Sequence, residues 1–221
     1  MLRAVIFDVD GTIVDSNELH VDAWDEIFRR YGKSFPREKL HAHIGEGGDQ
    51  YVPNFLNALE MRDFGAKLEK ERGEVYKEKY MAKVRPFPRV RELFERIKRD
   101  AKQIALASSG KSDELEHYIS LAKIQELVDA QTTKDDVVHS KPHADVFMAA
   151  LRKLGNLSPD DAVVVGDSPY DVIAAKRILL PTVGLLCGGF SEEELRSVGA
   201  VAIFRDPADL LENYERSPLA G

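Results

Sequence analysis

The chain has 221 residues, 43% of them hydrophobic, with 31 Lys plus Arg against 38 Asp plus Glu and a formal net charge of −7. That length holds one large domain or a core with one insertion, and that apolar content suits a folded core, not a disordered chain. The single cysteine, Cys187, excludes an intrachain disulfide and a Cys-based zinc or iron–sulfur site, and the acidic balance argues against non-specific nucleic-acid binding.

The N-terminal stretch MLRAVIFDVDGT reaches two Asp residues by position 10 and lacks the apolar run and cleavage site of a signal peptide. No window approaches about 18 uncharged apolar residues, so no membrane span is expected. The expectation is a cytoplasmic protein in a reducing compartment, monomeric, with no membrane partner.

Along the chain, the first apolar run, residues 2–7, reads as a buried strand. Residues 16–83 then carry no strand pattern. His20, Trp24, Ile27, Phe28 and Tyr31 form one apolar stripe at helical spacing, with Ser16 placed to cap it. Residues 51–59 and 61–81 also read as helical, and RPFP at 85–88 ends the block. From there strands and helices alternate. Strands are expected at 103–107, 127–130, 162–165, 182–186 and 201–204, and helices at 89–99, 112–122, 143–154, 170–179 and 192–198. The pattern predicts an α/β fold: a doubly wound, Rossmann-like parallel sheet formed by residues 1–15 and 84–221, with an inserted α-helical cap at 16–83. The insertion holds 12 basic and 13 acidic side chains, so the acidic excess lies in the sheet domain.

Four constellations sit at strand ends. Asp8 and Asp10 close the first strand, and residues i and i+2 point to one face. A carboxylate of ordinary pKa is ionised at neutral pH and can attack phosphorus directly, and a second carboxyl beside it can protonate a leaving oxygen. In VVVGDSPYD, residues 163–171, Asp167 and Asp171 offer the oxygen ligands that suit Mg²⁺, although Asp167 or Ser168 can equally cap the following helix. IALASSGK, residues 104–111, places Ser108 and Ser109 before a helix, as an anion cradle or an ordinary N-cap. Lys141 in Ser-Lys-Pro, ahead of a Pro that can start a helix, is placed to neutralise a phosphate and a nucleophile's charge.

Taken together, DVDGT, a strand ending in Ser, Lys-Pro and GDSxxD resemble the haloacid dehalogenase superfamily, in particular its phosphatases with a small helical cap. The resemblance spans nearly the whole chain. It implies Mg²⁺ as cofactor and a small phosphorylated metabolite as substrate. It implies that Asp8 is the nucleophile that becomes an aspartyl-phosphate. Asp10 is then general acid and base, and lends its backbone carbonyl to the metal. Ser108 and the Ser109 N–H hold phosphoryl oxygens, and Lys141 bridges Asp8 and the phosphate. Asp167 completes the metal site, with Asp171 behind it.

In the resembled family the cap selects the substrate. Here Gly45, Glu46 and Gly47 form the expected specificity loop, with His20 a further candidate, and Trp24, His41 and His43 as side chains that can equally be structural. A β-phosphoglucomutase-like enzyme carries a cap-loop Arg for a second phosphate. No Arg stands between Arg37 and Arg62, which ranks mutase below hydrolase and counts against anionic substrates such as 2-phosphoglycolate. Phosphoglycolate phosphatase remains a named alternative. Outside enzymology, a phospho-accepting switch protein uses similar strand-end residues but needs no cap. After AAK, residues 174–176, the helix-ending Gly usual in such proteins is replaced by Ile-Leu-Leu-Pro.

Overall fold

The computed structural model describes residues 2–221. Six strands form one parallel sheet: β1 (Ala4–Phe7), β4 (Gln103–Ala107), β5 (Ala130–Thr132), β6 (Ala162–Gly166), β7 (Thr182–Leu185) and β8 (Ala202–Phe204), in the order β5-β4-β1-β6-β7-β8. β1 is central, with Val5 opposite Ile104 on one side and Val163 on the other. Its four residues are all buried. Val5 and Phe7 join the core under the cap side, whereas Ala4 and Ile6 join the core on the opposite face. That two-faced burial is why the strands read as uninterrupted apolar runs.

Helices cover both faces, as the alternation predicts. They are α6 (Val90–Arg99), α7 (Ser112–Ala122), α8 (Asp145–Lys153), α9 (Pro169–Lys176), α10 (Glu192–Val198) and α11 (Pro207–Glu212). Most boundaries shift by one to three residues, the helix expected at 51–59 is broken into a 3-10 turn at Val52–Asn54 and a short helix from Ala58, and three further differences bear on the site or the fold. The strand expected at 127–130 begins at Ala130, because residues 125–127 form a 3-10 turn first. Pro142 does not open a helix; α8 starts at Asp145, and the Lys141–Pro142 peptide is cis. α11 lies in a segment for which no element is expected.

Between β1 and α6 the regular elements are helices, apart from one ribbon. β2 (Val14–Asp15) pairs antiparallel with β3 (Arg85–Pro86), laying the two linkers side by side. Beyond them come α1 (Asn17–Arg30), α2 (Arg37–His41), α3 (Gly48–Tyr51), α4 (Ala58–Glu60) and α5 (Ala66–Lys79), with a π-turn at Met61–Gly65 joining the last two. The stripe on α1 is real: His20, Trp24, Ile27 and Phe28 are buried. Trp24 stacks on Tyr51 with ring centroids 4.3 Å apart, and Phe28 meets Phe35 edge-on at 5.0 Å, so aromatic packing supplies this block's own core. Among the described residues no helix is long and apolar enough to cross a membrane.

Candidate active site

The C-terminal ends of β1, β4 and β6 lie side by side, the crevice where open α/β sheets hold ligands. The Asp8 backbone N–H donates to the Val165 carbonyl at 2.8 Å, fixing the first carboxylate against β6. Asp8, Asp167 and Asp171 are buried, and an oxygen from each lies within 4.8 Å of the others. Lys141, 1% exposed, runs into the middle of this cluster. Its ammonium donates to Asp8 Oδ1 and to the Ala107 carbonyl at 2.9 Å, and stands 2.8 Å from Asp171 Oδ1. A lone surface lysine is thus excluded: this one is a buried cation shared by two acids.

Three carboxylates against one lysine leave the cluster over-charged. Burial, reinforced by the Asp171 charge, pushes the Asp8 carboxyl up to about 7 even though Lys141 pulls the other way. Burial and the Asp8 charge raise Asp167 well above the usual carboxylate range. Lys141 is held protonated, because Asp171 and Asp8 outweigh the burial that opposes its charge. An oxygen-only donor set with surplus negative charge fits a hard divalent cation such as Mg²⁺.

Asp171 also answers the capping alternative. Ser168 caps α9, accepting from the Asp171 N–H, while Asp171 Oδ2 accepts from the Ser168 hydroxyl at 2.7 Å and N–H at 3.1 Å. The capping alternative therefore holds for Ser168, with one Asp171 oxygen in a capping box and the other facing Lys141.

Asp10 behaves differently. Its side chain is outside the Asp8–Asp167–Asp171 group and turns toward α1, accepting from Ser16 Oγ at 2.6 Å and meeting His20 Nε2 at 2.8 Å. Ser16 does stand before α1, but its hydroxyl makes no cap and holds Asp10 instead. On the other side of the His20 ring, Arg72 approaches Nδ1 at 2.5 Å. A guanidinium only donates, so Nδ1 faces the Arg72 donor while Nε2 faces Asp10. Burial alone would raise Asp10, yet His20, Ser16 and Arg72 together hold its carboxyl below the usual range.

A cavity of about 320 Å³ opens above these groups, lined by Asp8, Asp10, Ser109 and Gly110 from the sheet side. Ser108 directly follows β4, and its hydroxyl accepts from the Gly110 N–H at 2.9 Å; it does not cap α7, whose N-cap is Lys111. From the other side come His20, Gly45, Glu46, Gly47 and Arg72. The loop is seated tightly, for a Cβ on Gly47 would lie 2.2 Å from the Ser140 side chain. Burial pushes the Glu46 carboxyl up to about 7 although Asn54 Nδ2 donates to it at 2.8 Å. Trp24 reaches the cavity edge under Arg72, whereas His41 and His43 do not line it: they contact the Gly188 carbonyl and Tyr170.

Some residues escaped the sequence reading. Arg72 was invisible because α5 is charged on nearly every side and no motif marks it. The cap loop carries no Arg, but α5 delivers the Arg72 guanidinium to the same cavity, so a missing loop Arg does not leave the site without one. Lys111 and Lys134 join it from the sheet side, and Lys134 pairs with Glu69 of α5 at 2.9 Å. Thr12 and Asn17 also went unread, and both donate to Asp167.

Strand-end carboxylates, a buried bridging lysine and an overhanging helical insertion define a doubly wound α/β hydrolase with a capped site. Residues 5–185 match the family model of haloacid dehalogenase-like hydrolases, and the chain belongs to that family. It is 29% identical over 212 residues to a phosphorylated carbohydrates phosphatase of Thermotoga maritima, covering 95% of this chain and 97% of that protein. It is 24% identical over 210 residues to the pyrophosphatase PpaX of Oceanobacillus iheyensis, covering 95% of each. The crystal structure of a hydrolase from Pseudomonas syringae superposes with a TM-score of 0.89 at 30% identity, over 98% of this chain and 99% of that one.

Proposed function

We propose that this protein is a Mg²⁺-dependent phosphatase of small phosphate monoesters, working through an aspartyl-phosphate on Asp8 beneath a cap formed by residues 16–83. The observation that carries this reading is the buried Asp8 held by Lys141 at the floor of a cavity whose wall presents Asp10. Asp8 attacks phosphorus in line, and Lys141 offsets charge on both the nucleophile and the phosphoryl oxygens. Ser108 and the Ser109 N–H receive those oxygens at the end of β4. An arriving phosphate dianion raises Asp10 by like charge, the direction needed for it to donate a proton to the leaving oxygen. Returned to its lowered state by His20 and Ser16, Asp10 then takes a proton from the water that cleaves the acyl phosphate. Asp8 and Asp167, with the Asp10 backbone carbonyl, would hold the Mg²⁺, and Asp171 would steady Lys141. The cation supplies charge neutralisation to the transferring phosphoryl group.

The named activity of the Thermotoga maritima relative on phosphorylated carbohydrates supports a sugar or polyol leaving group. One observation favours a second reading: Arg72 lines the cavity, and a guanidinium can grip an anionic leaving group such as the carboxylate of 2-phosphoglycolate. A β-phosphoglucomutase-like reaction ranks below both.

The test is phosphate release from sugar phosphates, 2-phosphoglycolate and pyrophosphate, with and without Mg²⁺. Asp8→Asn is expected to lower turnover by at least about 10³-fold, since the amide is no nucleophile. Unchanged turnover in that variant overturns the assignment, and a stable phosphoprotein without turnover favours a phospho-accepting switch.

A further inference from the structure

We propose that Asn17 is a positioning residue that ties the first turn of the cap to the divalent-cation site through Asp167, so that cation binding and cap position are coupled. The proposal rests on the Mg²⁺ reading above and adds to it a residue on the cap side.

Asn17 opens α1 and is 4% exposed, yet it makes no helix cap. Its Nδ2 donates to Asp167 Oδ2 at 2.9 Å and to the Gly188 carbonyl at 2.9 Å. Both partners only accept, so the amide has one admissible orientation. The other Asp167 oxygen accepts from Thr12 Oγ1 at 2.7 Å. Both oxygens of the β6 carboxylate are therefore fixed by donors from the segment that leads from β1 into the cap.

The surroundings are fitted to this bond. A Cβ on Gly11 would lie 2.3 Å from Asp167 Oδ2, and one on Gly188 would lie 1.7 Å from it. Only glycine at both positions lets the carboxylate and the amide meet. A buried amide is costly without partners; here Nδ2 is spent on two groups of the sheet domain rather than on its own helix, while the buried Oδ1 has no partner.

The same helical turn holds Asp10 through Ser16 at 2.6 Å and His20 at 2.8 Å. One turn of α1 thus grips carboxylates that follow two different strands. When α1 moves with the cap, the Asn17 donor leaves Asp167 Oδ2, and Thr12 alone holds the carboxylate beside the Asp8 and Asp171 charges. Donors that orient a ligand carboxylate commonly control metal affinity by 10–100-fold. Linkage makes the effect reciprocal: if cap position raises cation affinity, the cation favours that cap position.

The test is calorimetric titration of Mg²⁺ into the full-length protein without substrate, comparing wild type, Asn17→Ala, Asn17→Ser, Thr12→Val and Asp167→Asn. Hydrogen exchange across residues 15–21 is followed with and without saturating Mg²⁺. Asn17→Ala is expected to bind Mg²⁺ about 10–100-fold more weakly, and Asn17→Ser, which keeps a donor, less so. Mg²⁺ is expected to slow exchange at 15–21 in wild type and in Thr12→Val, whose change lies outside the cap, but not in Asn17→Ala. In activity, the Mg²⁺ requirement of Asn17→Ala rises while kcat at saturating Mg²⁺ recovers. Should Asn17→Ala not fold, Asn17→Ser carries the comparison.

Mg²⁺ affinity within twofold of wild type in both Asn17 variants, with Asp167→Asn impaired, overturns this proposal and leaves the Mg²⁺ reading standing. So does exchange at 15–21 that still responds to Mg²⁺ in Asn17→Ala. Absence of Mg²⁺ binding by wild type overturns both.

Discussion

Asp8 and Asp10 are two residues apart and carry the same side chain, yet their surroundings drive them in opposite directions. Asp8, buried beside Asp171, is pushed up to about 7, whereas Asp10, held by His20 and Ser16, lies below the usual range. Asp10→Asn is expected to cost 10²–10⁴-fold on an alkyl phosphate and much less on 4-nitrophenyl phosphate, whose leaving oxygen needs no proton; steady-state rates on the two substrates check this. Glu46 makes a pH prediction. Its folded-state pKa of about 7 exceeds the ordinary 4.5, so the folded state binds more protons than the unfolded state between those values. Stability must therefore fall as pH rises through that window. Glu46→Gln removes the effect and is expected to be more stable than wild type by about 1–2 kcal/mol at pH 8 and equal to it below pH 4.5, measured by urea denaturation across pH. At this scale the acids at the ends of β1 and β6 were legible from their placement, whereas Ser108, Ser109 and Lys141 stood out only through the order of the four motifs. Arg72 and Asn17 were not legible, since an Arg in a charged helix and an Asn at a helix start look ordinary until the tertiary partner is known.

The elements were legible where one period dominates. β1, β4 and β6 are buried on both faces, so their apolar runs had no competing reading. α1 was equally plain from its stripe. The β2–β3 ribbon was not, because two-residue strands leave no periodic signal and their pairing joins distant segments. The segment after α9 shows the cost of a missing glycine. Leu179 adopts φ +63 and is 83% exposed, the left-handed position where glycine normally ends a helix. A side chain there costs about 1–2 kcal/mol. Leu179→Gly is therefore expected to stabilise the protein by about 1 kcal/mol after the extra chain entropy of glycine, raising Tm by about 2–4 °C in a thermal melt.

Across the whole molecule the helical insertion and the sheet side meet through both buried and half-buried contacts. The hydroxyls of Tyr76 on α5 and Tyr118 on α7 lie 2.5 Å apart, Lys134 pairs with Glu69, and Gly47 sits against Ser140. Gly47→Ala is expected to hold the loop off Ser140, lowering kcat/KM by about tenfold or more while the melting temperature changes little; a 1 Å misplacement is enough for such losses. Normal kcat/KM in that variant would show that seating of the loop is not needed for turnover. The net charge of −7 acquires a location here, because part of it is the cluster of Asp8, Asp167 and Asp171 around Lys141. By itself the sequence determined the alternation of strands and helices, the helical insertion and the acids at strand ends, since periodicity and turn chemistry are local properties. Only the tertiary structure decided which lysine faces which acid, which cap residues overhang them and how each carboxyl titrates. Those depend on sheet order and on burial, which bring together residues from opposite ends of the chain.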